Sequence, residues 1–264
     1  MKKLALRLAL MPLARISALP LMVLGCSTYA LAGEDISVSV STDYVSEYVF
    51  RGVTLAGEAI QPGAEISSPA FGGKFTAGVW ASVAVGEESA VFADEIDLYA
   101  GYAFDVSGTI SADVGVTLYH YPQSGGLFDI GASDASTVEI YGGLGFDVPL
   151  APSLTAYYDL NLNAFTLEGG AEYSVPLAEK TSFDIGASAG LVSVKSGQDY
   201  QYGSLSGALA YALADNTSVY AGVNGGLSSR RTFLDTNFDL AVPASVSDPK
   251  KSSVWFGVGI SSGF

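Results

Sequence analysis

The chain is poor in the side chains that do chemistry. Of its 264 residues one is cysteine, Cys26, and one is histidine, His120. With the only thiol close to the N-terminus, the remainder of the chain can form neither a disulfide nor a thiolate metal site, which suits an oxidising compartment. Basic residues are scarce as well. Past Ala32 there are eight Lys and Arg against 27 Asp and Glu, a formal charge of −19, which argues against nucleic acid as a partner. Long apolar runs are missing too: past residue 32 none could form a membrane helix, although mean hydropathy is +0.34. A chain can be acidic, hydrophobic on average and free of apolar runs if apolar and polar residues alternate.

The first 32 residues are read separately. Lys2, Lys3 and Arg7 precede an apolar stretch broken by Pro12, Arg15 and Pro20, and Ala30-Leu31-Ala32 stands before Gly33. This is the pattern of a secretory signal peptide, 1–32, cleaved after small residues, and Arg15 with two prolines makes a poor membrane anchor. Val23-Leu24-Gly25-Cys26 resembles a lipoprotein processing site, which leaves lipidation at Cys26 open, though Leu24 is bulky for it.

Beyond the signal, period-2 alternation picks out twelve segments bounded by turn residues: 36–53, 59–68, 74–85, 94–104, 108–121, 137–148, 153–163, 167–175, 181–194, 201–213, 217–227 and 252–264. The last resembles the C-terminal strand of a bacterial outer-membrane barrel. Phe256, Val258, Ile260 and terminal Phe264 fall on one face, an expected membrane-insertion signal read by barrel-assembly machinery, with Trp255 and glycines on the other. The connections take turns. Ser68-Pro69-Ala70-Phe71-Gly72-Gly73, Pro149-Leu150-Ala151-Pro152 and Ala214-Asp215-Asn216 are among the tight turns, while 54–58, 86–93, 122–136, 164–166, 195–200 and 228–251 are the intervening loops. Five turns and six loops join twelve strands with both termini on the periplasmic side.

The expected fold is therefore all-β: one domain, 33–264, forming a transmembrane antiparallel up-and-down barrel in contact with outer-membrane lipid and lipopolysaccharide. A soluble β-sandwich also alternates. It does not need the aromatic girdle that Phe75, Phe104, Phe146, Tyr173, Phe183, Tyr211 and Phe264 would form at the periplasmic strand ends.

Parity assigns the charges to faces. Ile36, Val38, Val40, Tyr44, Tyr48 and Phe50 share one side of the first strand, so Asp43, Glu47 and Arg51 share the other. The same parity turns Glu65, Glu95, Asp97, Asp113, Glu139, Asp159, Glu168, Glu172 and Asp184 inward, together with Trp80 and Tyr99. Arg51 is the one basic residue on this inner face, with Gln61 or Glu65 of the neighbouring strand as expected partners. An acidic lumen reads as a hydrated, cation-preferring pore for passive diffusion of small solutes. The same lumen could be internally paired, or constricted by inward Tyr99, Tyr119, Tyr141, Tyr157, Trp80 and Trp255, leaving a structural barrel that acts through its outer loops.

Ser41-Thr42-Asp43-Tyr44-Val45-Ser46-Glu47-Tyr48-Val49-Phe50-Arg51-Gly52-Val53, Gly78-Val79-Trp80-Ala81-Ser82 and Glu95-Ile96-Asp97-Leu98-Tyr99-Ala100-Gly101-Tyr102 resemble the Gcw_chp family, also called TorF-type porins. The resemblance implies an outer-membrane barrel of porin type and leaves the solute open. Val45-Ser46-Glu47 and the long last loop depart from the family pattern.

An enzyme is not expected. A lipid-cleaving barrel needs its histidine beside a serine on the outer wall, and Pro122 stands two residues beyond His120 on the same face, where such a serine would be. His120 reads as a rim residue on the lipid side. Asp129, Asp134 and Asp199 in outer loops match no calcium-loop spacing, so neither a metal nor another cofactor is expected.

Overall fold

The computed structural model describes residues 36–85, 94–132, 134–195, 197–233 and 249–264. The signal peptide 1–32 with Cys26, the loop 86–93 and most of the loop 228–251 lie outside the described residues. Within them run the strands β1 (Ser37–Val45), β2 (Tyr48–Phe50), β3 (Val53–Ala56), β4 (Ala59–Ala70), β5 (Gly73–Ala84), β6 (Glu95–Ser107), β7 (Ile110–His120), β8 (Ser136–Phe146), β9 (Ser153–Asp159), β10 (Ala164–Ala178), β11 (Thr181–Val194), β12 (Tyr200–Ala214), β13 (Thr217–Ser228) and β14 (Ser252–Gly263).

Twelve of them close into one antiparallel barrel, β4 through β14 in sequence order with β1 completing the ring between β14 and β4. At the seam Val40 faces Ser262 and Tyr44 faces Val258. The Val38 amide donates to Phe264 O at 3.1 Å and the Phe264 amide to Val38 O at 2.8 Å, so the first and last strands end together. This is the up-and-down barrel expected from the alternation. Closure pairs every strand edge, which is what a sheet needs in hydrocarbon.

The outer face is apolar. Val38, Val40, Val79, Leu98, Val116, Ile140, Leu205 and Val258 are all exposed, as are Val254, Phe256, Ile260 and Phe264 on the last strand. Phe75, Phe104, Tyr173, Phe183, Tyr211 and Phe264 are exposed around the end that carries the tight turns. Such an uninterrupted belt is the surface of an outer-membrane barrel covered by lipid.

The tightest connections follow from turn chemistry. Phe71 and Gly72 join β4 to β5 with φ of 48° and 81°, the two positive values a type I′ hairpin turn requires. Where β9 stops short, turn 147–152 takes over its role as partner: the Glu172 amide of β10 donates to Leu150 O at 2.8 Å.

The first strand departs from expectation. The wall ends at Val45, eight residues before Val53, and β2 and β3 form a two-stranded hairpin of their own. Arg51 and Gly52 make its turn, with φ of 40° and 75°, between paired Phe50 and Val53. The hairpin folds into the barrel. Tyr48, Phe50, Val53, Leu55 and Ala56 are buried against Trp80, Leu162, Val192, Val194, Tyr200 and Tyr202 of the wall, a hydrophobic core inside the lumen. Tyr48 and Phe50 therefore do not face lipid. Burying Phe50, Val53 and Leu55 contributes about 1.5–3 kcal/mol each, and hairpin strands keep period 2, so nothing in the alternation marks the point where the chain leaves the wall.

Candidate functional site

The hairpin is fastened at named points. Ser46 anchors its start: its amide donates to Phe256 O at 2.9 Å and its Oγ accepts from the Phe256 amide at 3.0 Å. Glu47 accepts from Thr54 Oγ1 at 2.5 Å and from Ser253 Oγ of β14. At the tip, Thr232 Oγ1 donates to Gly52 O and the Thr54 amide donates to Thr232 O at 3.1 Å. Gly52 has no room for a side chain, since a Cβ there would stand 2.5 Å from Tyr202 Cβ.

Arg51 is not on the barrel wall, and neither Gln61 nor Glu65 pairs with it. Carried inward on the hairpin turn, its Nη1 and Nη2 donate to Glu139 Oε2 and Oε1 of β8 at 3.3 and 3.4 Å. Tyr119 adds a hydrogen bond to Glu139 Oε1 at 3.1 Å, and the Tyr157 ring lies 3.7 Å from the guanidinium carbon. Arg51 is 6% exposed and Glu139 1%. Burial works against the guanidinium charge, and the Glu139 carboxylate together with Tyr157, Tyr119 and Tyr202 compensates it. A bidentate arginine–carboxylate pair of this kind fixes geometry as well as charge.

Below the hairpin the wall repeats one arrangement three times. Tyr99, Gly78 and Glu65 are cross-strand neighbours on β6, β5 and β4; so are Tyr202, Gly190 and Glu168 on β12, β11 and β10, and Tyr220, Gly259 and Asp43 on β13, β14 and β1. Each ring lies across the glycine between, where no Cβ fits, and its hydroxyl reaches the carboxylate on the next strand. Tyr99 donates to Glu65 at 3.1 Å, Tyr220 to Asp43 at 2.8 Å, and Tyr202 to Glu168. Tyr141 similarly covers Gly115 and hydrogen-bonds Asp113. Tyr99 and Tyr141 thus lie along the wall instead of blocking the lumen; the hairpin fills its loop end.

The other expected positions are placed as follows. Glu95 and Asp97 are buried on β6 beneath the hairpin, within electrostatic reach of Tyr48. Asp159 serves the β9–β10 turn: its Oδ1 accepts from the Asn161 and Leu162 amides at 2.8 and 2.7 Å. Trp80 packs on Tyr48 with ring centroids 5.4 Å apart, and its indole Nε1 has no hydrogen-bond partner among the described residues. Glu172 is half-buried, and Asp184 accepts from Ser174 Oγ at 2.5 Å.

Between the hairpin and the turn end lies a cavity of about 400 Å³. Asp43, Glu47, Glu168, Glu172 and Asp184 line it with Arg51, and Trp80, Tyr202, Tyr220 and Trp255 supply aromatic surface. The sequence reading placed these carboxylates by parity and passed over Tyr202 and Tyr220. Glycine opposite each tyrosine on the neighbouring strand was the available signal.

His120 is buried, not lipid-exposed, and its Nδ1 lies 2.9 Å from Ser136 Oγ on β8. Ser136 Oγ donates to Leu127 O at 2.9 Å, so the imidazole must be the donor toward serine. That is the reverse of what a nucleophile requires, and Ser136 has no exposed surface. Through Leu127 the pair ties the β7–β8 connection to the strand ends. Asp129 accepts from the Gly126 amide at 2.8 Å and Asp199 from the Val194 amide at 3.1 Å, within or beside their own loops.

No curated protein matches the chain. Among solved structures it is similar to the KdgM porin, at 14% identity and a TM-score of 0.51, over 86% of this chain and 99% of that one. It is also similar to the NanC porin, at 12% identity and a TM-score of 0.53, over 85% of this chain and 98% of that one. These likenesses concern the fold, the closed barrel of outer-membrane porins. In sequence, the family described as "Bacterial protein of unknown function (Gcw_chp)" matches residues 30–258, nearly the whole barrel with the hairpin inside it, and the chain belongs to that family.

Proposed function

We propose that the protein is an outer-membrane channel for passive diffusion of small solutes, preferring cations, with its turns and both termini in the periplasm and its loops outside. The observation that carries this reading is the charge of the cavity lining: five carboxylates against Arg51, whose guanidinium is engaged by Glu139. Carboxylates along a narrow hydrated path concentrate cations and repel anions. The likeness to porin barrels supports the channel, and the hairpin is the element that would narrow its outer half. Barrel-assembly machinery reading Phe256, Val258, Ile260 and Phe264 belongs to the same proposal, as do lipopolysaccharide contacts at the loops.

The buried hairpin also favours a second reading, a closed barrel that works through its outer loops. Purified protein in a planar bilayer separates the two. Conductance with a reversal potential of cation-selective sign supports the channel; anion selectivity overturns the cation preference; absence of conductance in folded protein assigns the closed barrel.

A further inference from the structure

We infer that the cavity beneath the hairpin is a binding site for a small organic ammonium that also carries an oxygen acceptor. The inference rests on the channel reading for the solute's route, and on the cavity's own chemistry for its identity. A volume of about 400 Å³ is within the usual range for small-molecule sites. Its carboxylates do not converge: among the described residues no three Asp, Glu, His or Cys side chains lie close enough together to hold a metal ion. Asp43, Glu168, Glu172 and Asp184 instead stand around a space whose remaining walls include Trp80, Trp255, Tyr202 and Tyr220 as well as serines, Asn224 and Arg51.

A small inorganic cation gains nothing from the aromatic walls, because it keeps its water. An alkylammonium is weakly hydrated, and its positive charge is attracted both to carboxylates and to the faces of Trp and Tyr rings. The tyrosines are held for this. Tyr202 and Tyr220 are pinned by their hydroxyls to Glu168 and Asp43, so ring and carboxylate are presented together and need no reordering when a ligand arrives.

Trp80 adds the second requirement. It lines the cavity at 4% exposure, and its Nε1–H is buried without an acceptor among the described residues. A buried donor without a partner is uncommon in folded proteins. A hydroxyl or carboxylate oxygen on the ligand would complete it. The ligand class is thus an amino alcohol, amino acid or amino sugar of positive charge, in preference to a bare amine or a neutral polyol.

Three probes test this: choline, its neutral carbon isostere 3,3-dimethyl-1-butanol, and the smaller tetramethylammonium, which lacks the hydroxymethyl group. Binding to the folded, detergent-purified protein is followed by calorimetry and by the fluorescence of Trp80 and Trp255, the chain's two tryptophans. Choline is expected to bind about tenfold more tightly than the neutral isostere, and more tightly than tetramethylammonium. Glu172→Gln should weaken choline, and Trp80→Phe should erase the preference over tetramethylammonium, in barrels whose unboiled gel mobility is unchanged. Equal binding of choline and its isostere, or no binding of choline, overturns the inference. A bilayer recording of the same preparation keeps the two readings apart. Conduction without choline preference defeats the site alone, whereas choline binding without conduction defeats the channel and leaves the site.

Discussion

Arg51 and Glu139 stand 88 positions apart in the chain and meet inside the barrel through nitrogen–oxygen contacts of 3.3 and 3.4 Å. One belongs to the hairpin turn and the other to the wall, so the pair measures whether the hairpin is seated. Removing one partner of a buried pair leaves the other charge uncompensated, typically at a cost of about 3–5 kcal/mol. Glu139→Gln should therefore loosen the hairpin while the twelve-stranded wall, which does not depend on it, stays closed. In a planar bilayer the variant is expected to open more often or to a larger step than the parent protein. Unchanged conductance in a folded variant would show that the pair is not what keeps the hairpin seated in the lumen.

Gly52 offers an independent handle on the same element. Its φ of 75° disfavours any side chain, and a Cβ would meet Tyr202 Cβ at 2.5 Å. Gly52→Val should prevent the turn from seating. Arg51 is then the reporter, because trypsin cuts after arginine only when that backbone can enter its cleft. The parent protein should resist cleavage at Arg51, and the variant should be cut there, giving a fragment that begins at the residue after Arg51. Equal resistance in both would mean that the turn tolerates the substitution inside the lumen.

The barrel was legible because alternation, tight turns and an apolar outer face each leave a mark in sequence, and they agree from Ile36 to Phe264. The hairpin was not. Tyr48 and Phe50 continue the parity of Val38 and Val40, and a strand that turns inward keeps the period of a strand that stays in the wall. The local clue was Arg51-Gly52 between Tyr48-Val49-Phe50 and Val53-Thr54-Leu55, a two-residue turn signal set within an apolar run. The partner of Arg51 lay beyond reach for a different reason. Glu139 is brought opposite by closure of the whole ring, and no rule of neighbouring strands leads to it. Asp159 shows the converse limit: parity turns it inward, yet its Oδ1 is occupied by the Asn161 and Leu162 amides of its own turn.

The tyrosine–glycine–carboxylate triplets predict how the wall responds to substitution. Tyr220→Phe keeps the ring over Gly259 and removes the hydrogen bond to Asp43, a cost of about 1–3 kcal/mol when a charged acceptor loses its donor. Gly259→Ala is the harsher change, because its methyl group would collide with both Asp43 and Tyr220. The temperature at which the folded gel band disappears should fall modestly in the first variant and further in the second. The opposite order would mean that the hydroxyl, and not the close approach of the ring, sets the strength of this part of the wall.

Selectivity gives the last prediction, and ionic strength decides how it must be read. Glu172 and Asp184 line the cavity, and neither is tied to Arg51. Their neutralisation in a Glu172→Gln, Asp184→Asn variant removes two negative charges while leaving the hairpin and its clasp as they were. If the carboxylates set the preference for cations, the reversal potential in a salt gradient should move toward the non-selective value in the variant. The difference from the parent should be largest near 0.1 M salt, where charges act over about 10 Å, and shrink near 1 M, where screening cuts this to about 3 Å. A variant that keeps the parent's reversal potential at low salt would remove these two residues from the permeation path. A difference that persists at 1 M would point to a direct contact between solute and carboxylate, since only groups within a few ångströms escape screening. The two salt conditions therefore separate an electrostatic funnel from a binding step at the same residues.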